Sequence, residues 1–396
     1  MPSSFAYQRA AQGAALASAG RERNRAVAGK RKTVMFVGGS LMPFCRFRRA
    51  LIERLVRDHD CRVICAYWGD RADGFFAPFD LEGVVWQDLG GDHASPPGIA
   101  DLPPLARLFR TIRRHRPDVI CCFNAKPIAL GPRIARLARP GARIVALMEG
   151  LGSALSFLLD ASGPKRRVFR TLTRPVDRWV LLNDRDAGVI LDLHPQRRES
   201  ISTLPGIGID PDHFSPGPDL LAQRRLIFVG RLVPEKGIDM FLALARHLRG
   251  SDWRLAAAGL PTSHGIAPAE IESWLREGLL ESCAPVHDMA AFYRRASVLV
   301  FPSRYEEGLP AVIMEAQASG LPCLVRDTPV LRGTIRHGET GFLVSGEDPS
   351  DWAAALKWLE EPATFAAFSA AARRHAVEQF DQDRINARLI GLLLQA

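Results

Sequence analysis

No stretch of this chain approaches the roughly 18–20 consecutive apolar residues that a bilayer-spanning helix needs, although 47% of its residues are hydrophobic. That pattern excludes an integral membrane protein of the helical kind. Cysteine is sparse: there are seven, with Cys121 and Cys122 adjacent and no C-x-x-C pair. Such spacing fits reduced structural thiols better than a disulfide frame or a zinc site, and so favours the cytoplasm. No zinc-finger, helix-turn-helix or aromatic RNA-binding signature is present, which sets nucleic acid aside as a partner despite a net charge of +9. Nor does a D-x-D-like carboxylate pair present itself in the cleft loops as a metal ligand, so neither a metal nor a cofactor is expected.

What the chain does have is length. At 396 residues it exceeds one typical core, and two domains are expected. The positive charge is uneven. Residues 1–32 hold Arg9, Arg21, Arg23, Arg25, Lys30, Arg31 and Lys32 against Glu22 alone. This Ala- and Arg-rich stretch lacks a long apolar segment of the secretory kind and reads as a loose basic tail outside the chemistry, with a membrane-surface contact or a start codon assigned too far upstream as the rival readings.

After the tail the pattern alternates. "TVMFVGGS" (33–40) reads as a buried strand running into a glycine turn, and "FCRFRRALIERLVRD" (44–58) follows with helical spacing. "CRVICAYWG", "DVICCFNA", "ARIVALMEG" and the run at 178–182 are further strands separated by helical spacing. A second start appears at "RRLIFVGRLVPEKGIDMFLALARHL" (224–248), followed by strand candidates in "WRLAAAGLP", "SVLVFPS" and "LPCLVRD". The fold class expected is α/β, two doubly wound parallel-sheet domains facing a cleft. The expected boundaries are 33–205 for the first domain, 206–222 for a Pro- and Gly-rich linker, 223–380 for the second domain and 381–396 for a closing helix that crosses back to the first.

Two stretches carry chemistry. "YEEGLPAVIMEA" (305–316) places Glu307 and Glu315 on either side of a glycine turn and the start of a helix, with Pro310 suited to the first helical position. A helix N-terminus of this kind favours anions, so a phosphate suits the place, with one carboxylate beside it and the other reaching hydroxyls. "GRLVPEKG" (230–237) follows the first strand of the second domain. Its Arg231 and Lys236 can both point into the cleft and neutralise a diphosphate, Arg as a planar fork and Lys as a point charge.

With "GGS" at 38–40, "GRLVPEKG", "PSRYEEGLPAVIMEAQASGLPCLV" at 302–325 and "HGETGFLV" at 337–344, the chain resembles glycosyltransferase family 4, retaining enzymes of GT-B fold. The resemblance covers roughly residues 33–385. It implies that Arg231 and Lys236 hold a nucleotide diphosphate, Glu315 hydrogen-bonds the ribose and Glu307 approaches the donor sugar. Backbone groups of Gly308 and Leu309 would meet the phosphates or sugar, Gly39 would let the first domain approach the diphosphate, and Gly259 with Leu260 would line the base. Glu307, Arg231 and Lys236 are the expected catalytic residues.

The block at 123–155 resembles the subset of that family that builds capsule, O-antigen or exopolysaccharide units. Many relatives carry His before the "GLG"-type turn; here it is Glu149, a carboxylate either near the reacting centre or structural. Lys126 is either an acceptor-side cleft contact or a surface lysine. The function implied is metal-independent transfer of a sugar, a UDP-sugar being favoured as donor, to a lipid-carrier-linked glycan at the inner face of the cell membrane. A nucleotide-sugar epimerase and a non-catalytic nucleotide-sugar-binding protein are the alternatives. The basic stretches "PLARLFRTIRRHR" and "PKRRVFRTLTR" either expose solvated arginines over buried stripes or face an anionic membrane surface.

Overall fold

The structure, a computed structural model, describes residues 31–69, 76–93, 95–151, 155–159, 163–259, 265–305 and 308–395. The first domain is built on seven strands: β1 (Thr33–Gly38), β2 (Arg62–Tyr67), β3 (Val84–Asp88), β4 (Val119–Phe123), β5 (Arg143–Met148), β6 (Arg178–Leu181) and β7 (Ile201–Thr203). They pair in parallel in the order β3-β2-β1-β4-β5-β6-β7. The second domain has six parallel strands, β8 (Arg225–Val229), β9 (Arg254–Ala258), β10 (Ser282–Ala284), β11 (Val298–Phe301), β12 (Cys323–Arg326) and β13 (Gly341–Val344), in the order β10-β9-β8-β11-β12-β13. Each order reverses direction beside its first strand, at β1/β4 and β8/β11. In open parallel sheets that switch point leaves a crevice beyond the strand carboxyl ends.

The sequence of β1 explains how the first sheet is covered. Val34 and Phe36 point to one side, where Leu51 of α1 (Arg49–Arg57) packs with Leu389 and Leu393 of the last helix. Met35 and Val37 point to the other. There they meet Leu108 and Ile112 of α2 (Leu102–His115), Ile128 of α3 (Ala125–Ala138), Phe169 of α4 (Pro164–Thr173) and Ile190 of α5 (Asp184–Leu193). The second sheet carries α6 (Ile238–His247), α7 (Pro268–Arg276), α8 (Met289–Arg294), α9 (Ala311–Ala318), α10 (Pro349–Trp358) and α11 (Pro362–Phe380). The last helix, α12 (Gln382–Leu394), lies on the first domain.

The chain thus passes between the domains twice, and the two passages are tied together. The Ile209 N–H donates to the Phe380 carbonyl at 2.8 Å, and the Gln382 N–H donates to the Ile209 carbonyl at 2.9 Å. Gly208 has φ +81°, and a Cβ there would meet the Gln382 backbone, so glycine is required twice over. Arg373 of α11 donates to the carbonyls of Phe214 and Ala318 at 2.6 Å and of Pro211 at 2.7 Å, pinning the outgoing passage to α9.

Two sequence expectations are corrected here. Arg31 and Lys32, read as the end of a loose tail, are anchored: Arg31 pairs with Asp60 at 3.2 Å, and the Lys32 amine donates to the Leu394 carbonyl at 3.0 Å. The remainder of that tail, residues 1–30, lies outside the described residues. The periodicity also passed over β3, β7, β10 and β13, all at or next to sheet edges, where half-exposed positions replace the apolar runs of central strands.

Candidate active site

The carboxyl ends of β8 and β11 bring together the two stretches singled out by sequence. After β8 the chain makes a 3-10 turn at Pro234–Lys236 and enters α6 through Gly237 at φ +82°. A Cβ on Gly237 would collide with the Pro302 carbonyl, so glycine lets this loop sit directly on the end of β11. The result is a paired cation site. The Arg231 guanidinium lies 5.3 Å from the Tyr305 ring centroid and the Lys236 amine 4.7 Å from it. The ring face attracts both cations, offsetting part of the repulsion between two positive groups held close together.

Glu315 sits one turn into α9, its side chain 5% exposed. The Tyr293 hydroxyl donates to its Oε2 at 2.9 Å. Burial, with the Glu315 carboxylate beside it, holds the Tyr293 phenol well above its usual value, so the hydroxyl keeps its proton and serves as a fixed donor. From the opposite domain, Nη2 of Arg46 stands 3.4 Å from both carboxylate oxygens. Arg46 lies on a π-helical turn, Phe44–Arg48, that leads from the glycine loop after β1 into α1. Pro310 is the residue before α9 rather than its first helical position, with extended backbone at ψ 121°. Glu307 and its neighbour Glu306 lie outside the described residues, as does Leu260; Tyr305 and Gly308 bracket the carboxylate pair.

The wall facing these groups comes from β1, β4 and β5. Gly39 donates its N–H to Asn124 Oδ1 at 3.1 Å. The fold itself demands glycine at its neighbour: a Cβ on Gly38 would enter the Phe123 and Phe44 rings, whereas one on Gly39 would make ordinary contact. Asn124, at the end of β4, has φ +66° and ψ 158°, a costly conformation for a residue with a side chain. Its Nδ2 donates to Glu149 Oε2 at 3.1 Å, and the other Glu149 oxygen is paired with the buried Arg48. Glu149 is therefore held by two partners within its own domain. Its backbone also marks where the domains touch, because a Cβ on Gly308 would run into the Glu149 carbonyl. Leu309 packs against the cluster of first-domain residues that α12 completes. Gly259 plays the matching part inside the second domain, where any Cβ would strike the Gly230 carbonyl.

Lys126 is neither a surface lysine nor a cleft contact. Its amine donates to Asp101 Oδ1 at 2.9 Å, to the Asp92 carbonyl at 2.7 Å and to Ser95 Oγ at 3.1 Å, which uses all three of its protons. Burial pushes the Asp101 carboxyl up, but hydrogen bonds from Lys126, Gly98 and Trp68 outweigh it and hold the group below the usual carboxylate range. Breaking such a buried pair from one side costs about 3–5 kcal/mol. Lys126→Met should accordingly lower the first domain's melting temperature by on the order of 10 °C while leaving nucleotide affinity unchanged. An unchanged melt, or a selective loss of ligand binding, would return Lys126 to the cleft.

Of the four D-x-D triplets in the chain, at 58–60, 184–186, 210–212 and 381–383, the one that follows β6 is Asp184-Arg185-Asp186. Asp186 is buried and accepts from Asn183 Nδ2 at 3.0 Å, while its N–H bonds Asn183 Oδ1 at 2.8 Å, so the residue closes the start of α5. Among the described residues, no group of three or more His, Cys, Asp or Glu is arranged to hold a metal ion. Sequence reasoning missed Arg46, Arg48, Asn124, Tyr293 and Tyr305. Only Tyr305 had a local signal, its place beside the carboxylate motif; the others reach the site from elements far away in the chain.

Residues 223–361 match the family of glycosyl transferases group 1. The D-inositol 3-phosphate glycosyltransferase of Thermobispora bispora is 33% identical over 243 residues, 56% of this chain and 56% of the relative. That of Acidothermus cellulolyticus is 29% identical over 297 residues, 67% of this chain and 65% of the relative. The chain thus spans between about half and two thirds of the length of these curated relatives. Among solved structures, HepE of Anabaena, crystallised with UDP-glucose, superposes with a TM-score of 0.71 at 18% identity, covering 92% of this chain and 100% of that one. WaaG, a glycosyltransferase involved in lipopolysaccharide biosynthesis, gives 0.68 at 18% identity over 92% and 100%. Sucrose-phosphate synthase of Thermosynechococcus elongatus gives 0.71 at 18% identity over 91% and 98%. Two parallel-sheet domains in this arrangement are the GT-B fold, and the match to the glycosyl transferases group 1 lies within the second of them.

Proposed function

We propose that this protein is a retaining glycosyltransferase that takes a sugar from a nucleoside diphosphate sugar, a UDP-sugar being favoured, and places it on a lipid-carrier-linked glycan of cell-surface polysaccharide. The observation that carries the reading is the convergence of Arg231 and Lys236 on one aromatic ring, at the same sheet switch point as the buried Glu315. Transfer leaves a diphosphate behind, and its developing charge needs stabilising groups already in position. Two fixed cations supply this without reorganisation, and the first amides of α9 add dipoles of the same sign. Glu315, oriented by Tyr293, offers acceptor oxygens for ribose hydroxyls. Glu307 is the group assigned to the donor sugar. Glu149, tied to Arg48 and Asn124, shapes the wall of the cleft rather than moving a proton.

UDP-glucose bound to HepE and the inositol phosphate named for the curated relatives support a nucleotide-sugar donor and leave two kinds of acceptor to compare. A thermal-shift panel of UDP-, GDP- and ADP-sugars tests the donor. UDP-sugars should raise the melting temperature most, and the reading fails if none of the three classes does. Lipid-linked glycan and inositol phosphate are then offered with the stabilising donor, with release of nucleoside diphosphate as the readout. Release with inositol phosphate alone would overturn the lipid-linked acceptor.

A further inference from the structure

The layer of α2, α3 and α4 on the first sheet has an unusual outer surface. Eight large apolar side chains are exposed among the described residues, and six of them (Ile99, Leu102, Phe109, Leu137, Leu159 and Val168) lie on these helices or the turns leading into them. The sequence stripes thus divide in two. Leu108, Ile112 and Phe169 pack on the sheet, while Phe109 and Val168, from the same segments, face outward. Single exposed apolar residues need no explanation, but six on one layer do.

Between α3, α4 and the 3-10 turn after α5, that layer opens into a cavity of about 470 Å³. Arg133, Arg167, Arg170 and Arg174 line it, with Thr171 and His194. Arg133 is fixed by two hydrogen bonds to the Thr171 carbonyl, at 3.1 and 2.7 Å. Among the described residues no carboxylate forms an ion pair with any of the four arginines. His194 is buried and bonded to Thr173 Oγ1 at 3.0 Å. Burial, with Arg170 and Arg197 nearby, pulls it down to about 4, so it adds no charge and leaves the field to the arginines. Four guanidinium groups around one cavity repel each other, and among the described residues none is paired with a carboxylate; the natural complement is a phosphate.

We infer that this cavity binds the phosphate of an anionic phospholipid headgroup, and that the apolar rim around it enters the bilayer interface. The rim favours a lipid over a free phosphate. Leu137 follows Arg133 by one helical turn on α3 and Val168 is next to Arg167 on α4, so exposed apolar groups neighbour the cavity's arginines on both helices. The surface is separate from the donor site, and the inference stands whether or not the reading of that site holds.

The test is co-sedimentation of the full chain with vesicles of phosphatidylcholine alone or with added phosphatidylglycerol, at low and high salt. Wild type should bind only the anionic vesicles, and less at high salt. Each cation near such a surface contributes enough that losing three lowers partitioning by about 100-fold, which is the expectation for a variant with Arg167, Arg170 and Arg174 changed to Ser. Changing Arg110, Arg113 and Arg114 of α2 removes the same charge away from the cavity and should cost clearly less. Leu137→Ser with Val168→Ser should weaken binding without changing its salt dependence. An unchanged melting transition without ligand shows that each variant is folded. Equal losses from the two arginine triples would overturn the cavity as the site. Stabilisation by inorganic phosphate without vesicle binding would overturn the lipid as its occupant.

Discussion

Arg231→Ala and Lys236→Ala are each expected to lower turnover by about 10²–10³-fold, the effect of removing one preorganised charge-stabilising donor at about 2–4 kcal/mol. Free nucleoside diphosphate should lose less affinity than turnover falls, because the full charge on the leaving group develops only as the glycosidic bond breaks. The structure adds a third member to the pair. Tyr305 lies under both cations, its ring centroid 5.3 Å from the Arg231 guanidinium and 4.7 Å from the Lys236 amine, and attracts both. Tyr305→Leu keeps the charges but removes the ring; with a cation–π contact contributing about 0.5–2 kcal/mol, turnover should fall by roughly 10-fold. Steady-state kinetics beside calorimetry with the nucleoside diphosphate checks the set. Near wild-type turnover in both alanine variants would remove the diphosphate assignment.

How much of this could be read beforehand depends on distance along the chain. The central strands announced themselves because a strand buried on both faces must be apolar throughout, as in Val119–Phe123 and Val298–Phe301. That Arg231, Lys236 and Glu315 lie near one another was legible because each follows a strand, in the loop or one turn into the next helix, where local spacing determines position. Lys126 was misread for the opposite reason. Its partner Asp101 is 25 residues away, and nothing near "NAKP" signals that an acid is folded beneath it. Glu149 shows the same limit: its environment is set by Arg48 and Asn124, 101 and 25 residues distant, and by the second domain's Gly308 against its carbonyl. Arg46 and Arg48 looked like ordinary helix arginines in "FCRFRR". The π-helical turn sends them to different ends, one to Glu315 across the cleft and one to Glu149 within its own domain.

Glu315→Gln should reduce affinity for the nucleoside diphosphate by about 10²-fold, since two hydrogen bonds from ligand hydroxyls to a carboxylate contribute about 1.5–3 kcal/mol each and the amide retains part of that. Turnover at saturating donor should change far less, because the ribose is held alike before and during transfer. Glu307→Gln is expected to show the reverse, a loss in turnover with affinity for the free nucleoside diphosphate largely kept. Tyr293→Phe separates orientation from charge. It leaves the Glu315 carboxylate beside Arg46 but without the hydroxyl 2.9 Å away that fixes its plane, so affinity should fall by about 10-fold. Arg46→Gln removes the partner that reaches Glu315 from the other domain, 3.4 Å from each oxygen. If that contact helps hold the domains together around a bound nucleotide, this variant should release the nucleotide faster with an unchanged association rate, which stopped-flow binding would resolve. Equal losses of affinity in Glu307→Gln and Glu315→Gln would instead mean that the two carboxylates act on the ligand as one group, and the division of roles between turn and helix would have to be given up.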